Sequence, residues 1–306
     1  MTLELVIENL SKTYPNGVTA LRDVNLRIPT GMFGLLGPNG AGKSTLMRTI
    51  ATLQEPDRGS VRLGDIDVLT QKEALRQVLG YLPQEFGVYP RVSAEAMLDH
   101  LAVLKGITEK RRRAEIVASL LQKTNLYEAR KRNLGTYSGG MKQRFGIAQA
   151  LLGEPKLVIV DEPTAGLDPE ERLRFHNLLS EIGENIVVIL STHIVEDVRE
   201  LCPQMAIIAG GKILLSGRPD EAIGALSGKV WKKTVERAEI EAFSKAFTVL
   251  STRLSGGKRV VHVFSEERPD EGFSSVPVDL EDVYFSTLRG QTSASPVVSG
   301  EAAHVS

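Results

Sequence analysis

The segment "GPNGAGKST", Gly37 to Thr45, carries the spacing G-x-x-x-x-G-K-[ST] at Gly37, Gly42, Lys43 and Ser44. Glycines let backbone N–H groups wrap phosphate oxygens, the lysine reaches the outer phosphates, and the next hydroxyl is placed for Mg2+. Farther on, "LVIVDEP" runs from four apolar residues into Asp161 and Glu162. A carboxylate at the carboxyl end of a buried parallel strand lies where ligands bind, so Asp161 is placed to hold Mg2+ directly or through water. Glu162 faces another way and suits a base that orients an attacking water; the competing reading is a solvated carboxylate at a helix start. "IVVILSTH" ends in His193, whose imidazole at the same sheet edge can bond a γ-phosphate or that water. Gln84 follows the apolar stretch Val78 to Leu82. Its amide can touch Mg2+ or water, although taken alone it reads as a solvated strand-end residue. A second cradle stands at Ser138, Gly139 and Gly140. These small residues open a segment in which Met141, Ile147, Ala148, Leu151 and Leu152 recur at helical spacing, and a helix start leaves N–H groups free for an anion.

The elements that must position these groups are legible in outline. "LELVIENL" and "DVNLRI" alternate around the turn "YPNG", and "MFGLL" is a buried strand running into the first glycine loop. "LMRTIATL" after that loop reads as a helix. Residues 93–152 read as helices, with stripes at Met97, Leu98, Leu101 and Leu104 and at Ile116, Val117, Leu120 and Leu121. Strands return at "LVIV" and "IVVIL", separated by a helix with Asp168 as N-cap and Pro169 at its first position. "MAIIAGGKILLSG" is a hairpin. The pattern is an α/β core with an all-helical insertion.

Beyond Gly217, "KVWKKTVE" reads as a strand, "EIEAFSKAF" as a helix, "VLSTRLSGGKRVVHVF" as a hairpin and "LEDVYFSTL" as a helix, a small α+β appendix. The closing "QTSASPVVSGEAAHVS" has no period and is expected to be disordered. With 306 residues, 42% hydrophobic and 25% charged, the chain is long enough for one large domain and a small one. Its net charge of −1 draws it to neither nucleic acid nor an anionic bilayer. The single cysteine, Cys202, excludes an intrachain disulfide framework and a multi-cysteine zinc site, and is expected to be inert core. The opening segment lacks the features of a signal peptide, and no apolar run is long enough for a membrane span, so a cytoplasmic protein is expected.

The order "GPNGAGKST", "YLPQ", "YSGG", "LVIVDEP", "AGLDP", "STH" resembles that of an ATP-binding cassette (ABC) ATPase over residues 3–218. The resemblance implies a P-loop ABC ATPase core with an antiparallel β subdomain and an inserted helical subdomain. The expected divisions are an ATPase domain over 1–218 with its helical subdomain at about 90–153, an accessory α+β domain over 219–289, and a tail over 290–306. It implies ATP and Mg2+ as cofactors. Gly37, Pro38, Asn39, Gly40, Ala41, Gly42, Lys43, Ser44 and Thr45 correspond to the Walker A loop, and Tyr14 to the aromatic residue stacked on adenine. Gln84 is the Q-loop glutamine beside the groove for a membrane subunit. Asp161 and Glu162 are the Walker B pair, Asp168 lies in the D-loop, and His193 is the switch histidine. Glu162, His193 and Lys43 are then catalytic, with Ser44, Gln84 and Asp161 at the metal.

Ser138, Gly139 and Gly140 match the family signature Leu-Ser-Gly-Gly-Gln, except that Tyr137 and Met141 replace its first and last residues. These departures, and the tail "LEDVYFSTL", resemble the ATPase subunits of bacterial drug, antibiotic-resistance, lipid and ion exporters. The family also implies why two cradles exist: two subunits meet head to tail, Walker A of one against the signature of the other. The expected partners are a second ATPase subunit, in a homodimer or heterodimer, and a separate permease that holds the protein on the inner face of the membrane; no nucleic acid is expected. The alternative is a soluble ABC ATPase acting on nucleic acid or ribosomes. Such proteins tend to carry two cassettes, coiled-coil insertions or zinc cysteines, which this sequence lacks.

Three features are assigned no chemistry. Ser255-Gly256-Gly257 repeats the signature letters but precedes an alternating segment and reads as a hairpin turn. The run Lys110 to Arg113, flanked by Glu109 and Glu115, reads as a solvated helix face. Trp231 reads as packing.

Overall fold

The computed structural model describes residues 3–164, 166–182 and 185–290. Strands β1 (Glu4–Thr13) and β2 (Thr19–Pro29) pair antiparallel across a turn in which the Gly17 N–H donates to the Tyr14 carbonyl. β3 (Gly31–Leu36) is apolar throughout, the pattern of a strand covered on both faces, and leads through the phosphate-loop motif into α1 (Lys43–Ile50). β4 (Arg58–Leu63), β5 (Ile66–Asp67), α2 (Lys72–Val78) and β6 (Leu79–Leu82) follow. Three helices then intervene: α3 (Ala94–Leu104), α4 (Lys110–Lys123) and α5 (Gly139–Ala150). Ser93 and Ser138 cap the first and last of them through their side chains.

The chain returns with β7 (Leu157–Asp161), α6 (Pro169–Ile182), β8 (Val187–Thr192), α7 (Val195–Leu201) and the hairpin β9 (Gln204–Ala209) and β10 (Lys212–Gly217). It ends with α8 (Pro219–Ala225), β11 (Val230–Val235), α9 (Ile240–Ala246), β12 (Thr248–Ser255), β13 (Lys258–Phe264), β14 (Ser274–Ser275) and α10 (Leu280–Leu288). Sequence periodicity does not predict the short α8. Its signals are Pro219 at the first position and Asp220 and Glu221 in the first turn.

Among the described residues three sheets result, ordered β2-β1-β4-β5, β10-β9-β3-β8-β7-β6 and β12-β13-β11-β14. In the central sheet β6, β7, β8, β3 and β9 run parallel, so their carboxyl ends share one edge. The ladder sets Leu36 against Thr192, Asp161 against Ser191 and Leu82 against Val160. Alternate residues of these strands feed two cores. Phe33, Leu35, Ile159, Ile189 and Ile208 pack with the β1–β2 hairpin. Leu36, Val160, Leu190 and Ile207 pack with α6 and α7. Each such side chain, fully buried, contributes about 1.5–3 kcal/mol.

The helical insertion has its own core around Leu98, Leu121 and Phe145. Tyr137 belongs to it, with its hydroxyl donating to the Ala129 carbonyl, and Met141 packs against it. The basic run opening α4 is a solvated face only in part. Lys110, Arg111 and Arg112 are exposed, but Arg113 pairs with Asp99 at 2.6 Å and donates to the carbonyls of Ile107 and Thr108. The charge pattern does not reveal Asp99 as partner because it comes from α3.

In the C-terminal region, β12 and β13 turn at Gly256 and Gly257, whose φ values of 56° and 78° suit a two-residue hairpin. A small cluster gathers Val235, Val261, Val263 and Phe273. Leu226, Val230, Leu250, Leu280, Val283 and Tyr284 instead join the core beneath the central sheet. Trp231 is half-buried, its indole donating to the Ser265 carbonyl. Cys202 is buried, and burial raises its thiol pKa far above the ordinary value. The tail after Gly290 lies outside the described residues.

Candidate nucleotide site

The loop between β3 and α1 is pressed against its surroundings. Gly42 has φ 110°, and a Cβ there would sit 2.5 Å from the Ala20 carbonyl oxygen, so both the turn and the packing demand glycine. Lys43 opens α1, is buried, and folds back so that Nζ donates to the carbonyls of Gly37 at 2.6 Å and Pro38 at 3.3 Å. Burial lowers its pKa, opposed by the charges of Glu162 and Asp161. Asn39, Gly40 and Ser44 are exposed, Pro38 and Thr45 half-buried, and Ala41 buried. The Tyr14 hydroxyl lies 3.1 Å from Thr45 Oγ1 and donates to Gln54 Oε1 at 3.1 Å. Gln54 in turn donates to the Thr45 carbonyl. Tyr14 is thereby tied to the helix that carries the loop; Gln54 has no motif to announce it.

Asp161 ends β7, buried, and its Oδ1 has no hydrogen-bond partner. Burial raises its pKa, and Glu162 adds to the rise. An orphaned buried carboxylate oxygen at this edge, with a serine hydroxyl at the loop, is the donor set that a hard cation such as Mg2+ takes.

Glu162 adopts φ 46°, unusual for a side-chain-bearing residue, while its N–H donates to the Ser191 carbonyl at 2.8 Å. The carboxylate is the meeting point of the site. Oε1 lies 3.7 Å from Lys43 Nζ. Oε2 accepts from Gln84 Nε2 at 3.2 Å and lies 3.1 Å from His193 Nδ1. Parallel pairing of β6, β7, β8 and β3 brings these four residues together. Chemically, the arrangement joins a cation, a carboxylate acceptor, an imidazole and an amide around one point at a sheet edge.

The second cradle opens α5. Ser138 Oγ accepts from the Met141 N–H at 3.2 Å. Ser138 and Gly139 are exposed, whereas Gly140 is buried against the carboxylate of Glu171. Asp168 caps α6, with Oδ1 accepting from the Glu171 N–H at 2.9 Å. Among the described residues, the side chains of Ser138 and Asp168 bond to backbone N–H groups of the helices they cap and not to Lys43, Glu162 or His193.

A sequence model of the ABC transporter family matches residues 21–165. The linearmycin resistance ATP-binding protein LnrL of Bacillus subtilis is 33% identical over 249 residues, 80% of this chain and 78% of that protein. The methionine import ATP-binding protein MetN of Bordetella pertussis is 37% identical over 253 residues, 78% of this chain and 69% of that protein. The dimeric, post-hydrolysis structure of the ATP-binding cassette MJ0796 bound to ADP and Pi superposes with a TM-score of 0.63 at 27% identity, over 70% of this chain and 98% of that one. A phosphate loop, a carboxylate pair and a histidine converging on one sheet edge, within a sequence matched over most of its length to such proteins, assign the chain: it belongs to the ABC transporter ATP-binding family and is an ATPase.

Proposed function

We propose that this ATPase drives an exporter, through a permease encoded separately, by closing and opening a dimer around ATP. The observation that carries the reading of the site is the Glu162 carboxylate, held between Lys43, Gln84 and His193. Backbone N–H groups from Gly37 to Thr45 bind the phosphates, and Lys43 exchanges its carbonyl contacts for the outer phosphate oxygens. Tyr14 borders the adenine. Ser44, Asp161 and Gln84 would hold Mg2+, which when bound neutralises charge on the phosphates. Glu162 orients the attacking water and accepts its proton as the water oxygen bonds to the γ-phosphorus and the bond to the β-phosphate oxygen breaks. His193 donates to the γ-phosphate. Ser138, Gly139 and Gly140 of a second copy close the site, and Asp168 borders that contact. Loss of the γ-phosphate removes a ligand that both copies hold, so the dimer opens.

Export is supported by the Tyr137 and Met141 departures and by the "LEDVYFSTL" segment, which resemble that branch. Among the described residues no helix is long and apolar enough to cross a membrane, consistent with work through a membrane partner on the cytoplasmic face. Glu162→Gln should abolish turnover, leave ATP affinity within about twofold, and trap a dimer with ATP and Mg2+ on size exclusion. Full turnover in that variant overturns the role given to Glu162. Transport into inverted vesicles containing the permease, driven by ATP, tests the direction.

A further inference from the structure

Behind the site lies a buried carboxylate that the roles above leave unused. Asp197, in α7, is fully buried. Such a group is costly unless its lone pairs are filled, and here they are. Oδ2 accepts from Thr164 Oγ1 at 2.6 Å and from Thr192 Oγ1 at 3.3 Å. Oδ1 accepts from Arg172 Nε at 2.9 Å and Nη2 at 2.6 Å, and faces His176 Nε2 at 2.9 Å. Burial alone would raise its pKa, but bonds from His176, Thr164 and Arg172 hold it below the ordinary carboxylate value.

The donors are not a random sample of the core. Thr164 lies in the segment that leaves β7 through Glu162 and Pro163. Thr192 ends β8 and immediately precedes His193, and its hydroxyl also accepts from the Ile194 N–H at 3.0 Å, fixing that turn. Arg172 and His176 belong to α6, the helix capped by Asp168. Glu162 stands in a left-handed conformation that persists only where its surroundings hold it. One carboxylate therefore fastens the segment after Glu162 to the segment before His193, and both to the helix of Asp168.

We propose that Asp197 is a positioning residue for ATP hydrolysis: by tying Thr164 to Thr192 it keeps the Glu162 carboxylate and the His193 imidazole in register. This rests on the hydrolytic roles proposed for those two residues. A purely structural ion pair would need Arg172 and His176 but not the two hydroxyls that come from the catalytic loops.

The test is steady-state ATP turnover by the full chain with Mg2+. Thr164→Val removes the shorter hydroxyl bond at nearly constant volume and carries the test, since Asp197→Asn would leave a guanidinium facing a neutral amide. Thr164→Val should lower kcat on the order of tenfold or more with KM for ATP unchanged, because misplacement of reacting groups acts on the chemical step. Thr164→Ser, which keeps the hydroxyl, should restore most of the rate. Wild-type kcat in Thr164→Val, or a loss that Thr164→Ser does not relieve, while Glu162→Gln is inactive, overturns the role of Asp197 alone. Full turnover in Glu162→Gln overturns the reading of the site beneath it.

Discussion

Glu162 owes its setting to four groups from three places in the chain, and each does something different there. Lys43 supplies a partly desolvated cation at 3.7 Å, Gln84 an amide donor, His193 an imidazole, and β8 the carbonyl that holds the Glu162 N–H. The neighbouring carboxylates of Asp161 and Glu162 are thus divided by environment. Asp161 keeps an unpartnered buried oxygen, whereas both oxygens of Glu162 face nitrogen groups. His176 shows the same sensitivity to environment outside the site. Its two nitrogens face Asp197 at 2.9 Å and Glu200 at 2.8 Å, an arrangement that only the doubly protonated ring satisfies as donor. The Asp197 bond first, against burial, and then the charges of Asp197 and Glu200 raise its pKa above 6.5. Arg172, on the same helix, shares Asp197 with it. A raised value means that the folded state keeps a proton that the unfolded state gives up. Stability from this group is full below about pH 6.5 and declines as pH rises through the raised value. Thermal melts at stepped pH should show that decline in the wild type and lose it in His176→Gln.

Among the elements, α5 matters because it opens with Ser138 to Gly140, the proposed signature, and must be held to the rest. Arg144, buried, donates to the carbonyls of Thr124 and Asn125 at the end of α4 and lies 3.3 Å from Glu171 of α6. Glu171 in turn packs on Gly140, and its N–H is capped by Asp168. The helix that opens with Ser138 is therefore joined by an ion pair to the helix capped by Asp168. Arg144→Met takes the donor from two carbonyls and leaves Glu171 to Arg174 alone, and should lower unfolding stability by about 1–3 kcal/mol in urea denaturation. Exchange protection of amides in α4 and α5 should fall with it. The stripe of apolar residues made these helices legible. Arg144 and Glu171 are ordinary surface types, and only the crossing of α5 with α6 brings them together.

Across the whole molecule, the C-terminal region is not a unit merely appended to a finished cassette. Leu226, Val230, Leu250, Leu280 and Val283 lie in one cluster with Val160, Leu190 and Val198 of the ATPase core. Arg253, on β12, pairs with Asp279, Glu281 and Asp282 at the start of α10, and Asp282 meets the buried His262 at 2.8 Å. Ending the chain after Arg218 would expose the apolar underside of α7 and β10. The shortened protein should bind a hydrophobic dye strongly and elute as aggregates on size exclusion. A monodisperse product with the full chain's melting temperature would show that the core is self-sufficient. A break in composition near Gly217 marks where the pattern changes, but composition carries no record of which faces meet.

The sequence by itself determined the family, the order of the motifs and the type of most elements, because glycine loops, apolar runs and caps act within a few residues of chain. It also singled out the residues to which the chemistry is here assigned as a proposal. Only the tertiary structure decided which of them meet: parallel pairing of β3, β6, β7 and β8 sets Lys43, Gln84, Glu162 and His193 at one edge, and leaves Ser138 to Gly140 on a separate helix. It alone exposed Asp197, Gln54 and Arg144 as junctions. Their roles come from contacts between segments distant in sequence, and no local pattern encodes such contacts.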